Sequence, residues 1–131
     1  MLYHGVDIIE VARMRRAVER WGQRLLQRIF TPGELADCAL PGGGLRFEGL
    51  AARWAAKEAV AKAAGLGLAG LAAGPGMHVH WRELEVVRAP SGQPSLCFHG
   101  AAAVALGEIE WVLSLSHSAE YAVASVVGMR R

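Results

Sequence analysis

Lysine is scarce in this chain. Of its 14 lysine and arginine residues only two are lysines, Lys57 and Lys62, and both lie in one alanine-rich run. A lysine coat that merely solvates a surface does not account for that concentration, so the two read as placed charges. Cysteine is scarce as well. Cys38 and Cys97 stand far apart and in no metal-ligand spacing, which argues against a disulfide-stapled fold and against zinc; both read as reduced thiols in a cytoplasmic protein. Asp7 and Glu10 interrupt the first apolar stretch with no basic leader before it, so no signal peptide is expected. No apolar run reaches about 18 residues, so neither a membrane span nor a membrane partner is expected. Phosphate loops are missing: Gly42-Gly43-Gly44 has no following Lys-Ser/Thr, and Gly65-Leu66-Gly67 follows a helix rather than a strand. Ser114, Ser116 and Ser118 lack the G-x-S-x-G setting of an acyl-enzyme nucleophile. No segment repeats.

What remains suits one domain over residues 1–131. The chain is 53% hydrophobic, enough for a core, but rich in glycine and alanine, which bury little apolar area each. Such a domain leans on subunit contacts for stability. Residues 2–9 read as a short, largely buried strand broken by Asp7, a carboxylate that must be paired or hold a metal. From Glu10 to Ile29, Val11, Met14, Val18, Trp21, Leu25 and Ile29 recur at helical spacing, with a break expected near Gly22. Arg13, Arg16, Arg20 and Arg24 recur on another face of that helix, a basic stripe suited to an acidic partner or simply to solvent.

Thr31-Pro32-Gly33-Glu34 spells a capping box with proline at the first helical position, opening a helix to about Ala39. Pro41 to Gly44 forms a link, and the next helix runs from about Arg46 to Ala64, stopped at Gly65-Leu66-Gly67. Gly70 to Gly76 reads as a glycine-rich loop. Strands are expected at 77–88 and Ser95–His99 around an Ala89–Pro94 turn, a short helix at Ala101–Leu106, and a last strand pair at Glu110–His117 and Tyr121–Val127. The fold class is α+β, helices first and then a small antiparallel sheet.

The chemistry concentrates in few residues. Glu58 and Lys62, four apart, share a helix face, which makes either a solvated ion pair or a carboxylate beside ammonium groups able to hold a metal and its phosphates. Asp7 and Glu58 could hold one hard cation, most simply Mg²⁺, with Lys57 or Lys62 on the phosphates. His117 sits where a strand turns, either capping the turn or meeting phosphate. His78 and His80 share a strand face but lack a third ligand, and His99 carries a weak signal. Trp21, Trp54, Trp81 and Trp111 read as core or subunit contacts rather than a base-stacking platform, and nucleic acid is not the expected partner.

Five pieces in order resemble one family: Gly5-Val6-Asp7-Ile8-Ile9-Glu10, Phe30-Thr31-Pro32-Gly33-Glu34-Leu35, Arg53-Trp54-Ala55-Ala56-Lys57-Glu58-Ala59, Gly92-Gln93-Pro94 and Leu115-Ser116-His117-Ser118. Together they span nearly the whole chain. They are similar to the small, holo-acyl-carrier-protein-synthase type of 4′-phosphopantetheinyl transferase. The resemblance implies that fold, and a homotrimer with active sites between subunits. It implies transfer of 4′-phosphopantetheine from coenzyme A to a serine of an apo acyl carrier protein, with Mg²⁺ as cofactor and adenosine 3′,5′-bisphosphate as the leaving product. On the same ground Asp7 and Glu58 are metal ligands and Lys62 contacts the coenzyme phosphates. His117 lies near the nucleotide end, which Arg53 and Glu48 help shape. Arg13 meets the carrier, with Arg20 and Arg24 as part of the same patch. Glu58 is the expected acceptor of the serine proton, directly or through a water on the metal. Trp54 stands where the family often has phenylalanine, and Arg88-Ala89-Pro90-Ser91 replaces an Asn-Asp-like turn. The alternatives are a Mg²⁺-dependent phosphohydrolase acting on a nucleotide-like pyrophosphate, and a non-enzymatic RNA-binding or assembly module using the basic helix.

Overall fold

The computed structural model describes residues 1–65 and 79–130. The expected loop at Gly70–Gly76, and His78, fall outside them. The chain opens with strand β1 (Leu2–Glu10) and passes directly into helix α1 (Val11–Ile29). Helix α2 (Pro32–Asp37) and helix α3 (Phe47–Ala63) follow. A 3₁₀ turn (Trp81–Glu83) leads into the hairpin of β2 (Leu84–Arg88) and β3 (Pro94–Phe98). Helix α4 (Gly100–Leu106) then connects to β4 (Ile109–His117) and β5 (Tyr121–Arg130). The α+β class holds, but the order differs from the expected one. The first strand joins the last two in an antiparallel sheet ordered β1-β5-β4, while β2 and β3 form a separate pair.

Several elements differ locally from the sequence reading. Of the strand expected at 77–88, residues 77 and 78 lie outside the described residues, and from residue 79 onward the strand begins only at Leu84, because Trp81–Glu83 coils into the 3₁₀ turn. β1 is not largely buried. Period two turns Gly5, Asp7 and Ile9 inward and leaves Val6 and Ile8 on the open face. α1 does break at Gly22, whose φ of 58° and ψ of −141° leave the helical region at low cost only for glycine. Trp21, expected on the apolar face, is 58% exposed beside that break.

The capping box at Thr31 forms as written: Thr31 Oγ1 accepts from the Glu34 N–H, and the Thr31 N–H donates to Glu34 Oε1. Glu34 does more than cap. It is fully buried, its Oε1 takes a 2.8 Å bond from Lys57 Nζ, and its Oε2 takes one from the Val86 N–H. Lys57 Nζ completes its three donors on the carbonyls of Trp81 and Leu84. One ion pair therefore ties α2, α3 and β2 together. Burial pulls the Lys57 pKa down while the Glu34 charge opposes that shift.

Helix α3 is the central element. Ala51, Ala52, Ala55, Ala56 and Ala59 are buried on it, facing small residues such as Ala122 and Ala124 of β5. Gly5 sets the closeness of that approach: a Cβ there would lie 2.0 Å from the Ala59 carbonyl oxygen. Among the described residues no helix is long and apolar enough to cross a membrane. Because a buried pair that loses one partner leaves an uncompensated charge, Lys57→Met is expected to cost about 3–5 kcal/mol. Urea unfolding would measure the loss, and adding Glu34→Gln to Lys57→Met should recover part of it by neutralising the orphaned carboxylate.

Candidate active site

Asp7 comes from the middle of β1, on the sheet face that α3 covers, level with Ala124 of β5. The approach licensed by Gly5 brings one turn of α3 over it. Glu58 and Lys62, one helical turn apart, both face Asp7. Lys62 Nζ sits 2.5 Å from Asp7 Oδ1, and the i,i+4 pair within the helix is thereby drawn into a contact with the strand. Lys62 Nζ also reaches the Val6 carbonyl at 3.4 Å. Asp7 Oδ2 is buried and receives no hydrogen bond among the described residues.

The Glu58 carboxyl lies beside Asp7, within hydrogen-bonding reach when protonated. Burial, that bond and the Asp7 charge push its pKa up to about 7, against the lowering pull of Lys62 and Arg13. Arg13 reaches the site from the first turns of α1, since β1 runs into α1 without a loop. Asp7, Glu58 and Arg13 open on a cavity of about 270 Å³ lined also by Met14, Leu25, Ile29 and Trp54. The indole of Trp54 is held edge-on to Trp81, with ring centroids 4.4 Å apart.

This arrangement fits a hard divalent cation. Two carboxylates are pressed together until one holds its proton near neutrality, and a buried carboxylate oxygen has no donor. All the anionic donors are oxygens, which suits Mg²⁺ rather than a soft metal.

The structure brings together Asp7, Glu58, Lys62 and Arg13, and separates the rest. Arg13, expected on the carrier-facing patch, is exposed and also lines this cavity. Lys57, an alternative phosphate lysine, is sealed against Glu34 and takes no part. It lies one position from Glu58 and so points about 100° away around the helix. Arg53 is buried as well, donating to the Gly49 carbonyl at 3.2 Å and pairing with Asp37 at 3.5 Å. Glu48 is half-buried in the first turn of α3. His117 is exposed at the end of β4. It shares Asp7's sheet face but stands two strand spacings, about 10 Å, across it. Arg20 packs over the Trp21 ring at 4.9 Å, and Arg24 lines a different cavity with Trp21, Leu25 and Arg28. Sequence reasoning missed the cavity walls, Trp54 and Met14, whose only signal was helical spacing beside charged neighbours.

Comparison with known proteins points one way. Residues 4–126 match the 4′-phosphopantetheinyl transferase superfamily. The chain is 53% identical over 133 residues to a holo-[acyl-carrier-protein] synthase of Chloroflexus aurantiacus, covering 97% of each chain. It is 49% identical to the Herpetosiphon aurantiacus holo-[acyl-carrier-protein] synthase, covering 98% and 99%. Among solved structures it resembles the Chronobacterium ammoniagenes ACPS–CoA complex, with a TM-score of 0.82, 29% identity, and coverage of 100% and 98%. It also resembles the Neisseria meningitidis holo-[acyl-carrier-protein] synthase, with a TM-score of 0.78, 30% identity, and 98% coverage of each chain.

The proton on Glu58 gives a test in the metal-free protein. Between the ordinary value of 4.5 and about 7 the folded state binds more protons than the unfolded chain, so folding stability falls as pH rises through that interval. Glu58→Gln, uncharged throughout, lacks this contribution. In thermal unfolding with EDTA from about pH 5 to about pH 8, the wild type is expected to lose stability relative to Glu58→Gln, and the gap should level off once Glu58 is ionised. A difference that does not vary with pH would contradict the crowded carboxylate pair.

Proposed function

Since the chain belongs to the small, holo-acyl-carrier-protein-synthase type of the 4′-phosphopantetheinyl transferase superfamily, and so transfers phosphopantetheine from coenzyme A to an apo acyl carrier protein, we propose that the Asp7–Glu58 pocket is where transfer occurs. One observation carries this reading: Asp7, Glu58 and Arg13, drawn from β1, α3 and α1, line one cavity, with Lys62 paired to Asp7 and a buried carboxylate oxygen of Asp7 unsatisfied among the described residues. Asp7 and Glu58 would hold Mg²⁺, which supplies charge neutralisation on the pyrophosphate of coenzyme A.

The chain's own residues do the rest. Lys62, with its ammonium partly exposed beside Asp7, brings positive charge to the phosphoryl group in transit between pantetheine donor and serine acceptor. Arg13, which lines the cavity, adds a second cation, suited to the same phosphates or to the approaching carrier. The Glu58 carboxylate is placed to accept the proton of the attacking serine hydroxyl. Trp54 and Met14 narrow the cavity and limit water, which would otherwise compete with the serine.

Arg20 and Arg24 stand exposed on either side of the Gly22 break in α1, where an acidic carrier would dock. Arg53 serves the nucleotide end indirectly, by fixing Asp37 and the Gly49 carbonyl around Glu48. His117, off the cluster within one subunit, suits a pocket completed by a neighbour. The homotrimeric reading draws support from the open face of the sheet, where Val6 and Ile8 of β1, Val127 and Met129 of β5 and Val112 of β4 stand exposed side by side. The free thiols Cys38 and Cys97 accord with the cytoplasm as its place of work.

Asp7→Ala is expected to lower transfer by more than about hundredfold at ordinary Mg²⁺ while the protein stays folded. Intact-mass measurement of an apo carrier incubated with coenzyme A and Mg²⁺ would read the product directly, and near-normal turnover would reject the site. Reversing Arg20 and Arg24 to Glu should raise KM for the carrier severalfold and leave KM for coenzyme A unchanged, because neither residue lines the pocket. Steady-state kinetics in each substrate separates those effects.

A further inference from the structure

The β2–β3 hairpin carries a second cluster of ligating side chains that shares no lining residue with the Asp7 pocket. Its geometry follows from strand periodicity. Cys97 on β3 and His99 just beyond it are two residues apart and fall on one face. Glu85 of β2 is the cross-strand partner of Cys97, on that same face. A carboxylate oxygen, a thiol sulfur and an imidazole nitrogen from these three residues lie within 4.8 Å of one another. Glu85 Oε1 is 2.8 Å from His99 Nε2, and Glu85 Oε2 accepts a 2.6 Å bond from the Thr31 hydroxyl, which fixes the carboxylate. The backbone of His99 is pinned by its N–H to the Glu83 carbonyl at 2.9 Å.

The cluster borders an open cavity of about 680 Å³ lined by Glu85 and His99 and also by His80, Glu83, Arg28 and Arg82. Glu83 Oε1 is buried with no hydrogen-bond partner among the described residues. Four side chains thus offer donors to a cation: the carboxylates of Glu83 and Glu85, the Cys97 thiol and the His99 imidazole. Arg28 and Arg82 oppose it and would disfavour a weakly held hard ion.

We propose that Glu85, Cys97 and His99 form a binding site for a divalent transition metal, with Zn²⁺ the best match. Sulfur and nitrogen donors select a borderline-soft ion, whereas the all-oxygen Asp7–Glu58 pair selects a hard one, so the two sites sort metals by donor chemistry. Three protein ligands leave a fourth tetrahedral position to water, with His80 on the wall of the same cavity. On binding, the cation takes the place of the proton on Cys97 Sγ and of any proton shared between His99 and Glu85. The leaving protons go to solvent, and affinity rises with pH. Sequence reading missed the site because Glu85 and Cys97 are remote in sequence and meet only through hairpin register.

The test uses the full chain, stripped with EDTA and returned to excess Mg²⁺, which fills the oxygen site. Titration with Co²⁺ is expected to give a thiolate-to-cobalt charge-transfer band saturating at one ion per chain and abolished by Zn²⁺. Cys97→Ser should lose the band. His99→Gln and Glu85→Gln should weaken binding by more than the roughly tenfold that losing an outer-sphere partner costs. Cys38→Ala, whose thiol is buried elsewhere, should keep the band. Zn²⁺ should also slow alkylation of Cys97 in the wild type, a readout that needs no variant to fold. A wild type with no band and unprotected Cys97 would overturn the proposal, as would a band that survives Cys97→Ser.

Discussion

The closeness of α3 to β1 governs the molecule. Gly5 has no side chain where any other residue would strike the Ala59 carbonyl, and the alanines of α3 present an equally thin surface. A long helix can therefore lie flat against the sheet with almost nothing between the backbones. That contact buries little apolar area per residue, which is the expected cost of an alanine-rich core. In exchange it fixes the height of the helix over the strand. Carboxylates on the two elements meet only at that height, and a bulkier interface would part Asp7 from Glu58.

Helix α3 then divides its charges by angle. Lys57 turns into the interior, where Glu34, Trp81 and Leu84 consume all its donors. Glu58 and Lys62 turn toward the strand. One short run thus carries both a structural ion pair, locking α2 and β2 to the helix, and a reactive set. The separation matters because a buried ion pair tolerates no loss of a partner, whereas the reactive set must remain open to substrate and solvent.

Much of this was legible in the sequence. The capping box at Thr31 was read in full because both its partners are local. The break at Gly22 and the stop at Gly65 were legible for the same reason: glycine allows positive φ there without strain. Asp7 and Glu58 stand out as a pair on chemistry and on family likeness, and the fold sets their carboxyl groups side by side. What escaped the reading depends on distant register or on helix phase. The pairing of β1 with β5 needs contacts across the whole chain. The fate of Lys57 turned on which way α3 faces. The first strand looked buried on both sides because its residues are apolar, yet half of them face outward from a sheet whose other face is already covered. Arg13 is the surface charge the sequence suggests, and only the direct passage of β1 into α1 shows that this surface borders the site.

The scarcity of lysine has a practical side. With Lys57 sealed in the interior, the side-chain amine left within reach of solvent is that of Lys62, whose side chain is 46% exposed beside Asp7. Among side chains, amine-selective reagents, whether cross-linkers, dyes or surface supports, would therefore be directed to that one residue. A label attached there would replace the ammonium that pairs with Asp7, and an immobilised preparation tethered through it would lose that contact.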